Sequence, residues 1–166
     1  MADTRIRRAT ENDAAQIVNF IRALAIFEKE AVERVRITEA EVRRDGFGSD
    51  RQFEVLIAEV DRKAVGFALF FPNYSTWEGK PGLYIEDIFV DESMRGTGLG
   101  RKLIVAVAKI AKSRGCARID LAVLNWNPAR GFYHRLGFHH AEPWQIFRLA
   151  QPGLEALSNE AFDFIA

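Results

Sequence analysis

The spacing of apolar residues predicts a chain of alternating strands and helices. A short strand, Thr4 to Arg8, comes first, and apolar residues then recur every three to four positions from Glu11 to Phe27, which is typical of an amphipathic helix. A second helix ends near positions 45–46. Two capping boxes mark where these helices begin, Thr10 with Asp13 and Thr38 with Glu41.

Runs of β-branched and aromatic residues predict the sheet. Three consecutive strands are expected at Phe53–Val60, Ala64–Phe71 and Leu83–Val90, with a loop at Pro72–Gly82. They are followed by a helix at Gly98–Ser113 that Gly115 ends, a strand at Arg118–Leu124, a short helix at Pro128–Gly137 and a strand at Trp144–Leu149.

The predicted order is β-α-α-β-β-β-α-β-α-β, which favours an α+β fold with a mixed, mostly antiparallel sheet flanked by helices. The strands at Leu83–Val90 and Arg118–Leu124 are expected to be parallel neighbours, because a helix joins them. No linker or repeat divides the chain, so we expect one domain over residues 1–166.

Composition narrows the class of protein. The 23 basic and 23 acidic residues cancel, so neither nucleic acid nor a membrane surface is an expected partner. We interpret the local cluster Arg5, Arg7 and Arg8 as a solvated edge. One cysteine, Cys116, leaves no disulfide or cysteine metal site within the chain, and we expect no metal. No apolar run indicates a signal peptide or a membrane span, so a cytoplasmic location is expected.

The segment Arg95–Gly100 joins a strand to a long helix and holds three alternate glycines. Glycine allows positive φ and close approach of a ligand to the backbone, and the first turn of a helix presents unpaired N–H groups. This combination favours an anion such as phosphate. A dinucleotide fingerprint would need a third glycine where Arg101 stands, and the P-loop pattern does not match either. A tight turn without a ligand is the alternative.

Carboxylates precede this turn. Simple strand alternation places Glu86 and Tyr84 on one face of the sheet and Asp87 and Ile85 on the other. Glu86 lies just upstream of the glycine turn, and this position makes it a candidate functional residue. The alternative is a structural carboxylate in a salt bridge.

The pattern Arg95-x-x-Gly98-x-Gly100 after a strand resembles the acetyl-CoA signature of the GNAT acetyltransferase superfamily. Within it, the chain most resembles the diamine (spermidine/spermine) acetyltransferases and the thialysine acetyltransferases. The segments that carry the resemblance are Phe27-Glu28, Asp45-Gly46-Phe47-Gly48, Trp77, Leu83–Val90 and Trp126-Asn127-Pro128-Ala129 through Tyr133 to Gly137-Phe138. The interval from Asn127 to Tyr133 is one residue shorter than is usual in the family.

The resemblance implies a GNAT fold, acetyl-CoA as acyl donor, a homodimer, Tyr133 as general acid and Glu86 as general base. The expected acetyl-CoA-binding residues are Ile88, Phe89, Val90, Arg95, Gly96, Thr97, Gly98, Leu99, Gly100, Arg101, Asn127 and Tyr133. The expected amine-binding residues are Phe27, Glu28, Trp77, Glu86, Asp87 and Glu142.

The substrate is expected to be a small primary amine. The segment Ser75-Thr76-Trp77 resembles the thialysine branch, because the spermidine/spermine branch has Asp-Pro-Trp there. A thialysine-like or diamine substrate is therefore the leading hypothesis. A polyamine acetyltransferase and a CoA-binding module without turnover are the alternatives.

Overall fold

A computed structural model describes residues 3–160. Residues up to Arg130 form one compact unit, and those from Gly131 onward form a second. The first unit contains β1 (Thr4–Arg8), α1 (Ala14–Phe27), α2 (Glu39–Phe47), β2 (Glu54–Val60), β3 (Lys63–Ser75), β4 (Lys80–Val90), α3 (Leu99–Ser113) and β5 (Ile119–Leu121). None of the helices in the described range is both long and apolar enough to cross a bilayer.

The five strands form one sheet in the order β1-β2-β3-β4-β5. The first three pairings are antiparallel, and β4 pairs with β5 in parallel. The expected mixed, mostly antiparallel sheet is therefore confirmed. So is the predicted parallel pairing of the strands on either side of α3.

Helices cover both faces of this sheet. Buried residues of α1 and α2 pack against alternate residues of β2 and β3, including Ile57, Phe67 and Leu69. The residues between these, such as Leu56 and Phe70, are buried too, and α3 contacts β1 through β4. The strands in the middle of the sheet are thus apolar on both sides, as expected for a sheet with a layer of helices on each face.

The sequence prediction of a loop over Pro72–Gly82 is wrong. β3 and β4 continue through this segment as a long hairpin, and only residues 76–79 form the turn. Pro72 is tolerated because β2 pairs with β3 only as far as Phe70, so Pro72 has no strand on that side to which an N–H would donate. Pro72 therefore lies within a strand, at a position that has no partner strand on one side, and does not mark a loop.

The second unit departs most from the sequence prediction. α4 (Ala129–Arg135) begins at the unit boundary, close to where a short helix was expected. The predicted strand at Trp144–Leu149 is wrong, because this segment has no strand pairing in the structure, and α5 (Gly153–Ser158) follows it unforeseen. The observed order is therefore β-α-α-β-β-β-α-β-α-α. An apolar alternation needs a neighbouring strand before it becomes a sheet strand.

The solvated edge predicted at the N-terminus is confirmed for Arg5 and Arg8, which are 54% and 62% exposed on the edge strand β1, whereas Arg7 lies in a half-buried ion-pair cluster. The Arg7 guanidinium donates two hydrogen bonds of 2.7 Å to Asp13 and a third, of 2.6 Å, to Glu59. Glu59 is 3% exposed and also accepts a hydrogen bond from Arg5. Asp13 accepts from the backbone N–H of Thr10, which precedes a 3-10 turn at Glu11–Asp13 that leads directly into α1, and this confirms the predicted capping interaction. The cluster thus ties β1, β2 and the helix start together.

Replacement of Arg7 by Met is expected to lower the free energy of unfolding by about 2 kcal/mol, because two carboxylates lose hydrogen bonds from a charged donor. The Arg5 and Arg7 hydrogen bonds lower the pKa of Glu59, and Arg7 lowers that of Asp13. This stabilisation is therefore complete above pH about 4, the unfolded pKa of such groups, and is lost as pH falls through the folded values. Chemical denaturation at several pH values measures both effects.

Arg8→Met is the matched control. Arg8 is the adjacent cation on β1 and pairs with Glu54, but its side chain is 62% exposed and Glu54 keeps Arg114 as a partner. We expect a loss below about 1 kcal/mol. Equal losses for the two variants would contradict the importance of the Arg7 cluster.

Candidate active site

The pairing of β4 changes in the middle of the strand. Leu69 of β3 pairs with Asp87, whereas the next residue, Phe70, pairs with Ile85, so Glu86 is an extra residue on β4. This arrangement is a β-bulge, which bends a strand and re-aims its side chains. The pairing of β4 with β5 also ends at this point, at Ile85 and Leu121. The predicted strand Arg118–Leu124 is consequently reduced to three residues.

The bulge moves Asp87 to the α1 side of the sheet. Paired residues share a face, and Leu69, the partner of Asp87, belongs to the core beneath α1 and α2. Tyr84 lies on this face as well, because it pairs and stacks with Phe71, two residues from Leu69. The sequence prediction that Asp87 shares a face with Ile85 is therefore wrong, since it assumed an unbroken alternation.

Three carboxylates interact electrostatically at the bulge. Burial is the main cause that raises the pKa of Asp87 to about 7, and the negative charges of Glu86 and Glu28 raise it further. Glu28, which caps the C-terminus of α1, is half-buried, and burial followed by the charge of Glu30 raises its pKa as well. Glu86 itself is exposed. The site thus holds one shielded carboxyl that titrates near neutrality beside one open to solvent.

The glycine turn follows β4 and leads into α3. Gly96 and Gly98 have φ values of 78° and 86°, and a Cβ at either position would meet no atom within 4 Å. Gly98 is the residue before the first helical turn, and as a glycine it has no side chain with which to cap it. The first intrahelical hydrogen bond runs from the Lys102 N–H to the Gly98 carbonyl, so the N–H groups of residues 99–101 precede the helical ladder, the arrangement that suits an anion.

Arg95 is held in place at the start of this turn. Its guanidinium carbon lies 4.5 Å from the centre of the Phe27 ring and 5.9 Å from that of Phe89, and its Nε donates to the Val90 carbonyl at 3.2 Å. Phe27 supports this arginine, and its predicted role in binding the amine stays a prediction. Stacking on aromatic rings orients a guanidinium while leaving its edge available to a ligand.

The other residues predicted to bind the cofactor lie in the core, in the glycine turn or on the surface of α3. The Phe89 and Leu99 side chains are 8% and 1% exposed, respectively, so they belong to the core. The Thr97 hydroxyl donates to the Met94 carbonyl at 2.6 Å and closes the turn. Ile88 and Val90 are half-buried on β4, whereas Arg101 is exposed on α3. Arg101 also lines a groove along α3 with Ile6, Lys102, Val105, Ala106 and Lys109.

The loop before α4 contacts the end of α1. The Lys29 ammonium lies 4.4 Å from the centre of the Trp126 ring, a contact for which the sequence gave no indication. Asn127 is 7% exposed, and its side-chain oxygen accepts from the Ala129 N–H at 2.8 Å. Asn127 therefore holds the first residue of α4, and its contact with acetyl-CoA stays a prediction.

Tyr133 and Glu142 belong to the second unit. The Tyr133 side chain is 9% exposed, and its ring packs 5.3 Å from Phe132 and 5.8 Å from Phe138. Glu142 is exposed and lies 3.0 Å from a ring nitrogen of His140. The catalytic role of Tyr133 and the amine-binding role of Glu142 stay predictions.

The hairpin tip holds Trp77, which is 86% exposed. Trp77 precedes β4, and the rise of an extended strand places it about 20 Å from the bulge in the same chain. Ser75 is buried, and its hydroxyl accepts from the Glu78 N–H at 3.2 Å and from Arg118 at 3.3 Å. Ser75, which falls in the predicted Pro72–Gly82 loop, is instead the buried last residue of β3.

Several known proteins have sequences similar to that of this chain. A model of the acetyltransferase (GNAT) family matches residues 20–138. The thialysine N-epsilon-acetyltransferase of Mus musculus is 40% identical over 170 residues, covering 95% of this chain and 99% of that protein. An L-ornithine N5-acetyltransferase of Arabidopsis thaliana is 39% identical over 69% of this chain and 47% of its own length. A human spermidine/spermine N(1)-acetyltransferase-like protein is 33% identical over 87% of this chain and 22% of its own length.

A solved structure shares the fold. An integron cassette protein from the mobile metagenome of V. cholerae superposes with a TM-score of 0.78 at 24% sequence identity, covering 94% of this chain and 98% of that one. The sequence match, the mixed sheet and the glycine turn agree with one another. The chain belongs to the GNAT acetyltransferase family and is an N-acetyltransferase.

Proposed function

We propose that this enzyme acetylates the side-chain amine of a small amino acid of the thialysine or lysine type, with acetyl-CoA as donor. The observation that carries the proposal is the position of the carboxylate-bearing bulge on the strand that leads into the glycine turn. One short segment, residues 86–100, thus holds both a site for an ammonium and a site for a polyphosphate.

Acetyl-CoA, the co-substrate of this family, fits the turn. The open space beside Gly96 and Gly98, where a Cβ would meet nothing, leaves the backbone accessible to a pyrophosphate. The N–H groups of residues 99–101 would donate to it, and the guanidinium of Arg95 would pair with its charge. The exposed cations Arg101 and Lys102 oppose the helix dipole, and a bound polyanion would offset that cost.

The thioester that acetyl-CoA supplies is an activated acyl group. Beyond Ile85, the backbone of β4 is no longer paired with β5, so N–H groups in the range 86–90 would donate to the thioester oxygen. We propose that the hydroxyl of Tyr133 protonates the leaving sulfur, since a phenol with a pKa near 10 holds its proton at neutral pH.

Before it attacks, the amine must give a proton to a side chain that acts as a general base. Glu86 was the sequence candidate and is open to solvent. Asp87 is the second candidate, because a base is most effective when its pKa lies near the working pH. Deprotonated Asp87 would both attract the ammonium and accept its proton.

Two of the three similar proteins named above act on amino acids with a side-chain amine, and this supports the proposed substrate class. A polyamine is the competing substrate, because three neighbouring carboxylates suit a chain of ammonium groups. The expected cytoplasmic location stays a prediction, which imaging of the tagged protein would test.

A homodimer is proposed on the basis of the second unit. Ile146, Phe147 and Leu149 are 72%, 92% and 54% exposed, a concentration of apolar surface that favours contact with another protein. Trp77 lies too far along the hairpin to reach the bulge of its own chain. If it binds the amine, it serves the site of a second copy.

For the dimer, Phe147→Asp is the informative change. Sedimentation should show a dimer for the wild type and a shift towards monomer for this variant, because burial of an unpaired carboxylate is unfavourable. Tyr74→Asp, which changes another exposed aromatic residue, 62% exposed on β3, serves as the control. A monomeric wild type would refute the proposal.

For the cofactor, Gly98→Ala and Gly115→Ala form a matched pair at the two ends of α3. Both glycines have positive φ, at 86° and 69°, and in both cases a Cβ has open space. Each variant should lose about 1–2 kcal/mol of stability, the cost of a left-handed alanine. Only Gly98→Ala should also weaken CoA binding, by at least about tenfold in calorimetry, since its methyl group enters the ligand's space. Equal CoA affinities would contradict the pyrophosphate assignment.

For proton removal, the pH dependence of kcat/KM separates the two carboxylates. If Asp87 is the base, the wild-type kcat/KM rises with pH through about 7, and this rising limb of the pH profile is absent in Asp87→Asn. Glu86→Gln should then shift the limb to lower pH, because one of the charges that raise the Asp87 pKa is gone. If Glu86 is the base, Glu86→Gln lowers activity by roughly 10²–10⁴-fold instead.

Tyr133→Phe tests the proposed general acid. It should lower turnover by roughly 10²–10⁴-fold and leave both CoA binding and the acid limb intact. Wild-type turnover in this variant would exclude Tyr133 as the acid.

A further inference from the structure

Lys29 has a backbone conformation that lysine rarely adopts. Among the described residues 3–160, three non-glycine residues have positive φ: Lys29 at 61°, Asp61 at 48° and Arg62 at 65°. Asp61 and Arg62 form the two-residue turn between β2 and β3, where a type I′ hairpin requires positive φ at both positions. The turn chemistry explains these two residues but not Lys29.

The local hydrogen bonds show which residue would suit position 29. The Glu30 N–H donates to the Ala25 carbonyl at 2.9 Å, and the Lys29 N–H donates to that of Ile26 at 3.0 Å. These two bonds define a Schellman motif at the end of α1, in which the left-handed position is usually glycine. Lysine at this position lowers the stability of the folded state, whereas glycine would adopt the same conformation without strain. Strained residues of this kind cluster at functional sites.

The Lys29 side chain is held against Trp126, and Lys29 follows directly after Glu28, a residue of the acidic site. The Lys29 ammonium lies over the Trp126 ring at 4.4 Å from its centre, so it has a defined position at the end of α1. The preceding residue, Glu28, acts electrostatically on Asp87. Two consecutive residues therefore present a carboxylate towards the bulge and an ammonium group towards the loop before α4.

We propose that Lys29 determines specificity by binding the α-carboxylate of an amino-acid substrate whose side-chain amine enters the carboxylate cluster at the bulge. The inference rests on the proposed function and deepens it. A substrate carboxylate pairs with the Lys29 ammonium, whereas a diamine or polyamine would bring a like charge to the same place. One side chain thus attracts amino acids and discriminates against longer polycations.

The test compares thialysine with bis(2-aminoethyl) sulfide, which is thialysine without its carboxylate and has the same reacting end. The wild type should prefer thialysine. Lys29→Gln should reduce the ratio of the two kcat/KM values about tenfold, the usual effect of losing a hydrogen bond to a charged group. The change should appear in the KM for thialysine with kcat nearly constant, because the carboxylate is bound equally in ground and transition states. Lys29→Arg should retain most of the preference.

Two control variants separate the effect of the Lys29 charge on substrate preference from the effect of its left-handed backbone conformation. Lys29→Gly should increase the melting temperature, because it relieves the left-handed strain, and yet show the same loss of preference as Lys29→Gln. Arg62→Gln removes another cation at positive φ, in the β2–β3 turn, and should leave the ratio unchanged.

The outcomes distinguish the inference from the proposed function. If the wild type releases no CoA thiol with either amine, both the proposed function and the inference are overturned. If it acetylates both amines and Lys29→Gln leaves the ratio unchanged, the assignment of Lys29 alone is overturned.

Discussion

The extra residue in β4 is the constraint on which the site depends. The bulge at Glu86 bends β4 where it pairs with β3, and the pairing of β4 with β5 stops at the preceding residue, Ile85. The backbone that follows is left for a ligand. The same shift turns Asp87 towards α1, where burial and neighbouring charges raise its pKa to about 7. A single local irregularity therefore accounts for both the unpaired backbone at which we propose that the acyl donor binds and the shielded carboxyl.

The end of α1 connects the parts of this site. Three consecutive residues make three different contacts: Phe27 stacks under Arg95, Glu28 acts on Asp87, and Lys29 lies over Trp126. Because a helix end fixes the spacing of its residues, the guanidinium of the glycine turn and the carboxylates of the bulge have a common support. A shift of α1 would consequently affect the donor and acceptor sites together.

Local signals predicted most of the fold, and long-range effects explain what they missed. Thr10, Thr38 and Gly115 marked helix ends correctly, since caps depend on neighbouring residues alone. Pro72 led to the wrong prediction of a loop, because whether a strand can hold a proline there depends on where β2 stops pairing with β3. The bulge has no sequence signal of its own, and without it strand alternation assigned Asp87 to the wrong face. Of the site, the glycine turn and the acidic residues were predictable from the sequence, whereas the support of Arg95 and the position of Lys29 depend on tertiary contacts.

The raised pKa of Asp87 lowers the stability of the folded state near neutral pH. A cation bound at the acidic site would offset this loss. An Asp87 with a pKa near 7 holds a proton in the folded state at pH values where the unfolded chain has lost it. The folded state is therefore progressively disfavoured as pH rises from about 4 to 7. An ammonium placed among Glu28, Glu86 and Asp87 would lower the pKa of Asp87 and reverse this effect. Binding of a cationic substrate near neutral pH would then release a proton from the site, so that the group which stabilises the bound amine is already in the form that can deprotonate it.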